Sequence, residues 1–123
     1  MVQTDVDTAE TNRLIASSKV EGTTVYNRQG EKLGSVENFM VDKRSGKAEY
    51  AVLSFGGLFG LGQDHYPLPW DMLAYDTGKG GYVVDLDKAV LDKAPRYRAG
   101  EQPSYDDEYG RSVYSYYGVI FPY

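Results

Sequence analysis

From about Leu14 to Pro95, short strand-like runs of apolar residues alternate with polar turn signals built on glycine, asparagine and aspartate. Residues 35–42, SVENFMVD, and 47–55, KAEYAVLSF, carry the β-branched and aromatic residues that suit a pleated surface. The second run is apolar on both faces around Ala51 to Leu53, which predicts a central strand. Turn signals at Asn27 to Gly30 and at Asp42 to Gly46 predict two hairpins. In HYPLPW, Pro67 and Pro69 stand two apart, so their missing N–H groups fall on one edge of an extended segment and that edge cannot be fully laddered. Alternation then puts Tyr66, Leu68 and Trp70 on an inner face and His65 with the two prolines on the other. Trp70 to Leu73 reads as a short helical turn started by Asp71, and LAYD and YVVD flank the turn TGKGG as a last hairpin. The helical candidate is residues 86–94, LDKAVLDKA, with Leu86, Val90 and Ala94 at four-residue spacing and Pro95 to end it.

Six short strands joined by tight turns predict an all-β fold, a small six-stranded antiparallel β-barrel, closed or nearly so, with one short C-terminal helix and an extended aromatic tail. The helices that a βαβ arrangement needs between strands are missing from the pattern. Residues 1–13 are polar and acidic and are expected to be a disordered lead-in, 14–95 the barrel domain, and 96–123 a tail. That tail carries seven of the twelve tyrosines and the acidic run Asp106-Asp107-Glu108, with no sustained periodicity. Its aromatic content predicts docking, either on its own barrel or on a second chain, and exchange between two copies would give a homodimer.

Composition narrows the function classes. Acidic residues outnumber basic ones 18 to 13, and the net charge of -5 disfavours direct binding of nucleic acid. With no cysteine, disulfides, thiolate chemistry and cysteine-ligated metal centres are excluded. The first residues lack a basic, apolar leader and no apolar run is long enough to cross a bilayer, so a soluble, cytoplasmic protein without membrane insertion is expected.

Candidate chemistry gathers at few places. The glycine-rich GGLFGLG lacks the lysine and Ser/Thr of a phosphate-binding loop and reads as a turn whose Leu58, Phe59 and Leu61 either cap the barrel or form a patch that binds a partner. Asp64 cannot orient His65 as a general base, because neighbours in a strand point to opposite faces. Ser54 has no nucleophile context, and one histidine with no cysteine is too few for zinc. No catalytic, metal-ligating or cofactor-binding residue is therefore assigned, and no cofactor is expected. The Asp106 to Glu108 run reads as solvated, while Tyr105, Tyr109, Tyr114, Tyr116, Tyr117 and Phe121 join the 58–61 loop as candidate protein-binding residues.

The order VYN-x-x-GEKLG-x-V, a strand ending in D-K-x-x-G-K, AEYAVLSFGG, YPLPW-x-x-L and YD-x-x-KGGYVVDLDK-x-x-L-x-x-AP resembles the PRC-barrel family over roughly residues 14–95. The family is named for the cytoplasmic domain of the photosynthetic reaction centre H subunit and includes the carboxy-terminal domain of a ribosome maturation factor. The resemblance implies a six-stranded barrel that acts by binding other macromolecules, with Gly30, Gly34, Gly46, Ala51, Gly56, Gly57, Pro69, Trp70, Gly81 and Pro95 as turn and packing positions. Stand-alone bacterial members end in a similar YYG-x-x-x-PY tail, matched here by Tyr116, Tyr117, Gly118, Pro122 and Tyr123. The expectation is a non-enzymatic adaptor that binds a protein partner. Its alternatives are a ribosome-assembly or RNA-processing accessory that contacts a ribosomal protein, a soluble modulator of a membrane electron-transfer complex, and last a hydrolytic enzyme.

Overall fold

The alternating segments become strands because each has one face to bury, and the turns between them take the backbone where glycine is cheapest. The computed structural model describes residues 13–55 and 64–123. In chain order these form α1 (Ser17–Val20), β1 (Thr24–Tyr26), β2 (Lys32–Val41), β3 (Ala48–Ser54), β4 (Asp64–Pro69), a 3-10 turn (Trp70–Met72), β5 (Ala74–Asp76), β6 (Gly81–Val83), α2 (Lys88–Leu91), β7 (Tyr97–Arg98) and α3 (Asp107–Tyr116).

The three expected hairpins are present. The β1–β2 turn is organised by Asn27, which is buried and accepts from the backbone N–H groups of Gln29 and Glu31 at 3.0 and 2.9 Å. The β2–β3 turn uses Asp42 in the same way, its carboxylate accepting from the N–H groups of Arg44 and Ser45 at 2.8 Å each. Those bonds favour the charged form and hold the Asp42 carboxyl below its ordinary range. Gly30 and Gly46 close these turns with φ of +86° and +78°, values that a side chain would disfavour.

The strands lie in one sheet in the order β5-β6-β1-β2-β3-β4-β7. Three features depart from the expected six-stranded antiparallel barrel. A seventh strand is contributed by the tail, where Tyr97 pairs with His65 and Arg98 with Asp64. The β1–β6 pair is parallel, with Val25 opposite Tyr82 and Tyr26 opposite Val83, because β6 returns along β1 after the β5–β6 hairpin. And the sheet is open, its two ends formed by β5, of three residues, and β7, of two. The ladder between β4 and β7 stops short of Pro67, where the two prolines withhold donors, and α3 packs against β4 instead.

Helix content also differs from expectation. Three α-helices replace the single one: α1 precedes β1, α3 makes the tail partly helical rather than extended, and α2 covers only Lys88–Leu91 of the expected 86–94. The shortening follows from Asp87, which is extended at the N-cap (φ -88°, ψ 153°), so Leu86 enters the core from a non-helical stretch. The short turn at 70–72 forms as expected but is capped by Pro69, one residue before Trp70.

The main core lies on one face of the curved sheet. Val25, Val36, Ala51, Leu53 and Leu68 are fully buried there, with Leu91 and Ala94 from the α2 region, and Tyr66 and Trp70 pack against them. The alternation read along β4 is thus the observed one. Pro67 and Pro69 are also fully buried, but they point to the opposite face. Since β3 is interior, Ala51 to Leu53 have no exposure on either side.

Candidate functional site

The second face of the sheet is covered by the tail, and its geometry starts with three acids. Asp106 is the N-cap of α3, its carboxylate accepting from the Tyr109 N–H at 2.9 Å, and Asp107 and Glu108 occupy the first turn beside the positive end of the helix. The acidic run is exposed, as its reading as a solvated stretch expects, and it is also the start of a helix. From it Tyr109, Val113 and Tyr117 follow at four-residue spacing and face the sheet, with Val113 fully buried. Gly110 lets the helix sit close: a Cβ there would lie 2.7 Å from the Tyr50 hydroxyl and closer still to the Phe121 ring.

Around Tyr50 of β3 the tail builds an aromatic cluster. The Tyr50 ring meets Tyr105 edge-on at 5.0 Å and Tyr114 at 5.7 Å, Tyr105 meets Tyr109 at 5.2 Å, and Tyr114 meets Phe121 at 5.2 Å. The hydroxyls tie these rings to the backbone and to each other. Tyr114 donates to the Glu49 carbonyl at 2.7 Å, Tyr116 donates to the Val90 carbonyl, and the Tyr97 and Tyr105 hydroxyls share a hydrogen bond of 2.9 Å. The last residue, Tyr123, reaches Asp42 Oδ2 at 3.3 Å.

The candidate binding residues thus fall into three groups. Tyr105, Tyr109, Tyr114, Tyr117 and Phe121 turn inward onto this chain's own sheet. Tyr116 stays partly exposed beside α2. Leu58, Phe59 and Leu61, with the rest of residues 56–63, lie outside the described residues, as do residues 1–12 of the expected lead-in.

Burial shapes the phenols. It pushes Tyr109 and Tyr114 up to about 12, helped at Tyr114 by the Glu49 and Asp71 carboxylates, and it raises Tyr50, Tyr105 and Tyr117 as well. A phenol whose folded-state pKa exceeds its unfolded value of about 10 contributes full stability below that pH and loses it as pH climbs through the folded value. The docked tail is accordingly expected to hold its near-UV signal up to about pH 10 and to lose it between about pH 10 and 12. A tail that stays docked throughout that window would contradict the buried-phenol account.

Two of these hydroxyls should behave in opposite ways. Tyr117 bridges the two cores, and its buried hydroxyl has no hydrogen-bond partner among the described residues. Tyr117→Phe is therefore expected to leave stability unchanged or raise it, whereas Tyr114→Phe, which breaks the bond to Glu49, is expected to cost about 1 kcal/mol. Urea midpoints of the two variants measure this contrast directly.

Of the residues that could suggest catalysis, Ser54 lies directly opposite His65 in the β3–β4 ladder, with Asp64 beside His65 in β4. His65 Nε2 lies 3.6 Å from Glu37 Oε1 and its ring meets Tyr97 edge-on at 5.5 Å, while Asp64 pairs instead with Arg96 at 3.5 Å. Ser54 is buried within β3. Among the described residues no group of three or more acidic or histidine side chains converges as a metal site, and no helix is long and apolar enough to cross a membrane.

Where the tail meets the β2–β3 turn it leaves a cavity of about 480 Å³, lined among others by Lys47, Glu49, Trp70, Asp71, Tyr114 and Tyr123. The Glu49 carboxyl is raised above its ordinary value, first by burial and then by the negative charges of Asp42 and Asp107. Sequence reasoning missed this cavity because its walls come from four separate stretches of chain.

A family model, the PRC-barrel domain, matches residues 12–91, from just before α1 to the end of α2. No curated protein matches the chain.

Proposed function

Because the chain belongs to the PRC-barrel domain family, we propose that it is a non-enzymatic adaptor whose contact surface is the docked tail and the sheet rim beside it. One observation carries this reading. At the end of the tail Val119 and Phe121 pack inward while Ile120 between them stands 90% exposed, and Tyr123 nearby is 60% exposed. An apolar side chain held outward on a fixed support is material for an interface, since docking would cover it at little ordering cost. The excess of acidic residues suits a basic protein surface as partner.

Capture from native lysate tests the proposal with three baits: the full chain, Ile120→Glu, and a chain ending at Ala99. A partner retained by the full chain and lost by both others is the expected result. Its identity, a ribosomal protein or a subunit of a membrane complex, then selects the process served. If all three retain the same partner, contact is made elsewhere on the sheet; if none retains any, the adaptor reading falls.

A further inference from the structure

The cavity between the tail and the β2–β3 turn has a lining of consistent chemistry. Glu49 comes from β3, Trp70 and Asp71 from the 3-10 turn, Tyr114 from α3 and Tyr123 from the end of the chain. Three aromatic residues and two acidic ones thus line the space, Trp70 with its ring also packed against Phe39 and Tyr82 of the main core, and Lys47 is the one base in the lining among the described residues. Just outside, Asp42 is held against the Tyr123 hydroxyl at 3.3 Å and adds a further negative charge. Aromatic faces attract cations, and carboxylates supply their counter-charge. An anion would meet Glu49 and Asp71 at close range, and an apolar ligand would strip water from both without replacing it.

We infer that this cavity receives a lysine or arginine side chain carried by the partner protein. The inference rests on the adaptor reading and deepens it by stating what the partner offers. The methylene stem of such a side chain would lie against the rings while its charged head reached Glu49. The volume, about 480 Å³, is within the range of small-ligand pockets and ample for one long side chain. Lys47 and Asp71 are both exposed at the mouth, so Lys47 is the chain's own competitor for the site. Three lining residues, Tyr114, Pro122 and Tyr123, belong to the tail, so the pocket is complete only while the tail is docked. Occupation by a partner would in turn favour docking.

Trp70 is the only tryptophan in the chain, and its emission therefore reports on the cavity wall. Purified full-length chain is titrated with N-acetyl-arginine methylamide and N-acetyl-lysine methylamide, with N-acetyl-citrulline methylamide as the uncharged control and tetramethylammonium as a free cation. The expected result is a saturable change with the arginine or lysine probe and none with citrulline. Glu49→Gln combined with Asp71→Asn should weaken binding at least about tenfold, and Lys47→Gln, an exposed position outside both cores, should strengthen it about twofold or more. No saturable response to either charged side-chain probe, an equal response to citrulline, or affinities unmoved in both variants would overturn the inference. Tighter binding of tetramethylammonium than of both side-chain probes would overturn it too, in favour of a small free cation. Because the titration uses defined probes on the purified chain, its failure removes the pocket and leaves the adaptor reading to the capture experiment.

Discussion

Val113→Asp is expected to release the tail and leave the sheet folded. Val113 is fully buried in the cluster around Tyr50 and Tyr114, and a carboxylate placed there would lose its water without gaining a cation. The nearby charges make matters worse, since Glu49 and Asp107 are both acids close to this face. Such burial costs more than about 3 kcal/mol, which a single docked helix can relieve by detaching. Among the described residues the main core on the other face shares only Tyr117 with this cluster, so the β-sheet keeps most of its own stabilisation. Trypsin should then cut at exposed Arg111 much faster than in the parent chain, while Trp70 still reports a cooperative thermal transition at lower temperature. Equal resistance of Arg111 in both chains would show that the tail is held by something other than this cluster.

Gly34→Ala is expected to destabilise the whole fold by about 3 kcal/mol, at the upper end of what overpacking costs. Gly34 lies in β2 opposite Val25, and its φ is not positive, so alanine is conformationally acceptable there. The difficulty is space. An added Cβ would fall well inside contact distance of the Ser54 carbonyl oxygen and 2.9 Å from the Phe55 ring. The carbonyl belongs to backbone fixed by the pairing of Ser35 with Ser54, and it cannot swing aside as a side chain does. Gly81 is in the same position against the Thr24 carbonyl, 2.5 Å from a Cβ. Gly46→Ala provides the comparison: its φ of +78° is unfavourable for alanine but the surrounding space is open, so the cost there should be about 1 kcal/mol. Denaturant midpoints that rank the two variants the other way would show that β2 and β3 are less closely apposed than described.

These glycines illustrate what the sequence could tell. Gly30 and Gly46, with Asn27 and Asp42 before them, mark turns by local chemistry, and local chemistry is visible in a string of residues. Strict alternation through Tyr66, Leu68 and Trp70 likewise encodes a buried face, and β4 presents it as read. The parallel pairing of β1 with β6 is different in kind. Both strands are three residues long, and nothing within either specifies its partner; the hairpin β5–β6 and the length of β2 decide it together. In the tail, the helix was hidden by tyrosine itself. Tyr109 and Tyr117 face inward while Tyr116 points out, so the apolar periodicity blurs, and the readable signal was Asp106 as cap with two acids behind it. The cavity was beyond reach for a simpler reason: residues 47–49, 70–71, 114 and 122–123 meet only once the tail has docked.

The tyrosine-rich tail docks on the sheet of its own chain, and the proposed contact surface exists only because it does. Isotope-filtered NOE spectra on an equal mixture of labelled and unlabelled protein, at a concentration where the mass is measured in parallel, test it most directly. The expected result is a monomer with contacts from the Tyr50 ring to Tyr105 and Tyr114, whose centroids lie 5.0 and 5.7 Å away, all within one chain. The same contacts appearing only between labelled and unlabelled chains, in a dimer, would show that the tail is exchanged between copies and would contradict it.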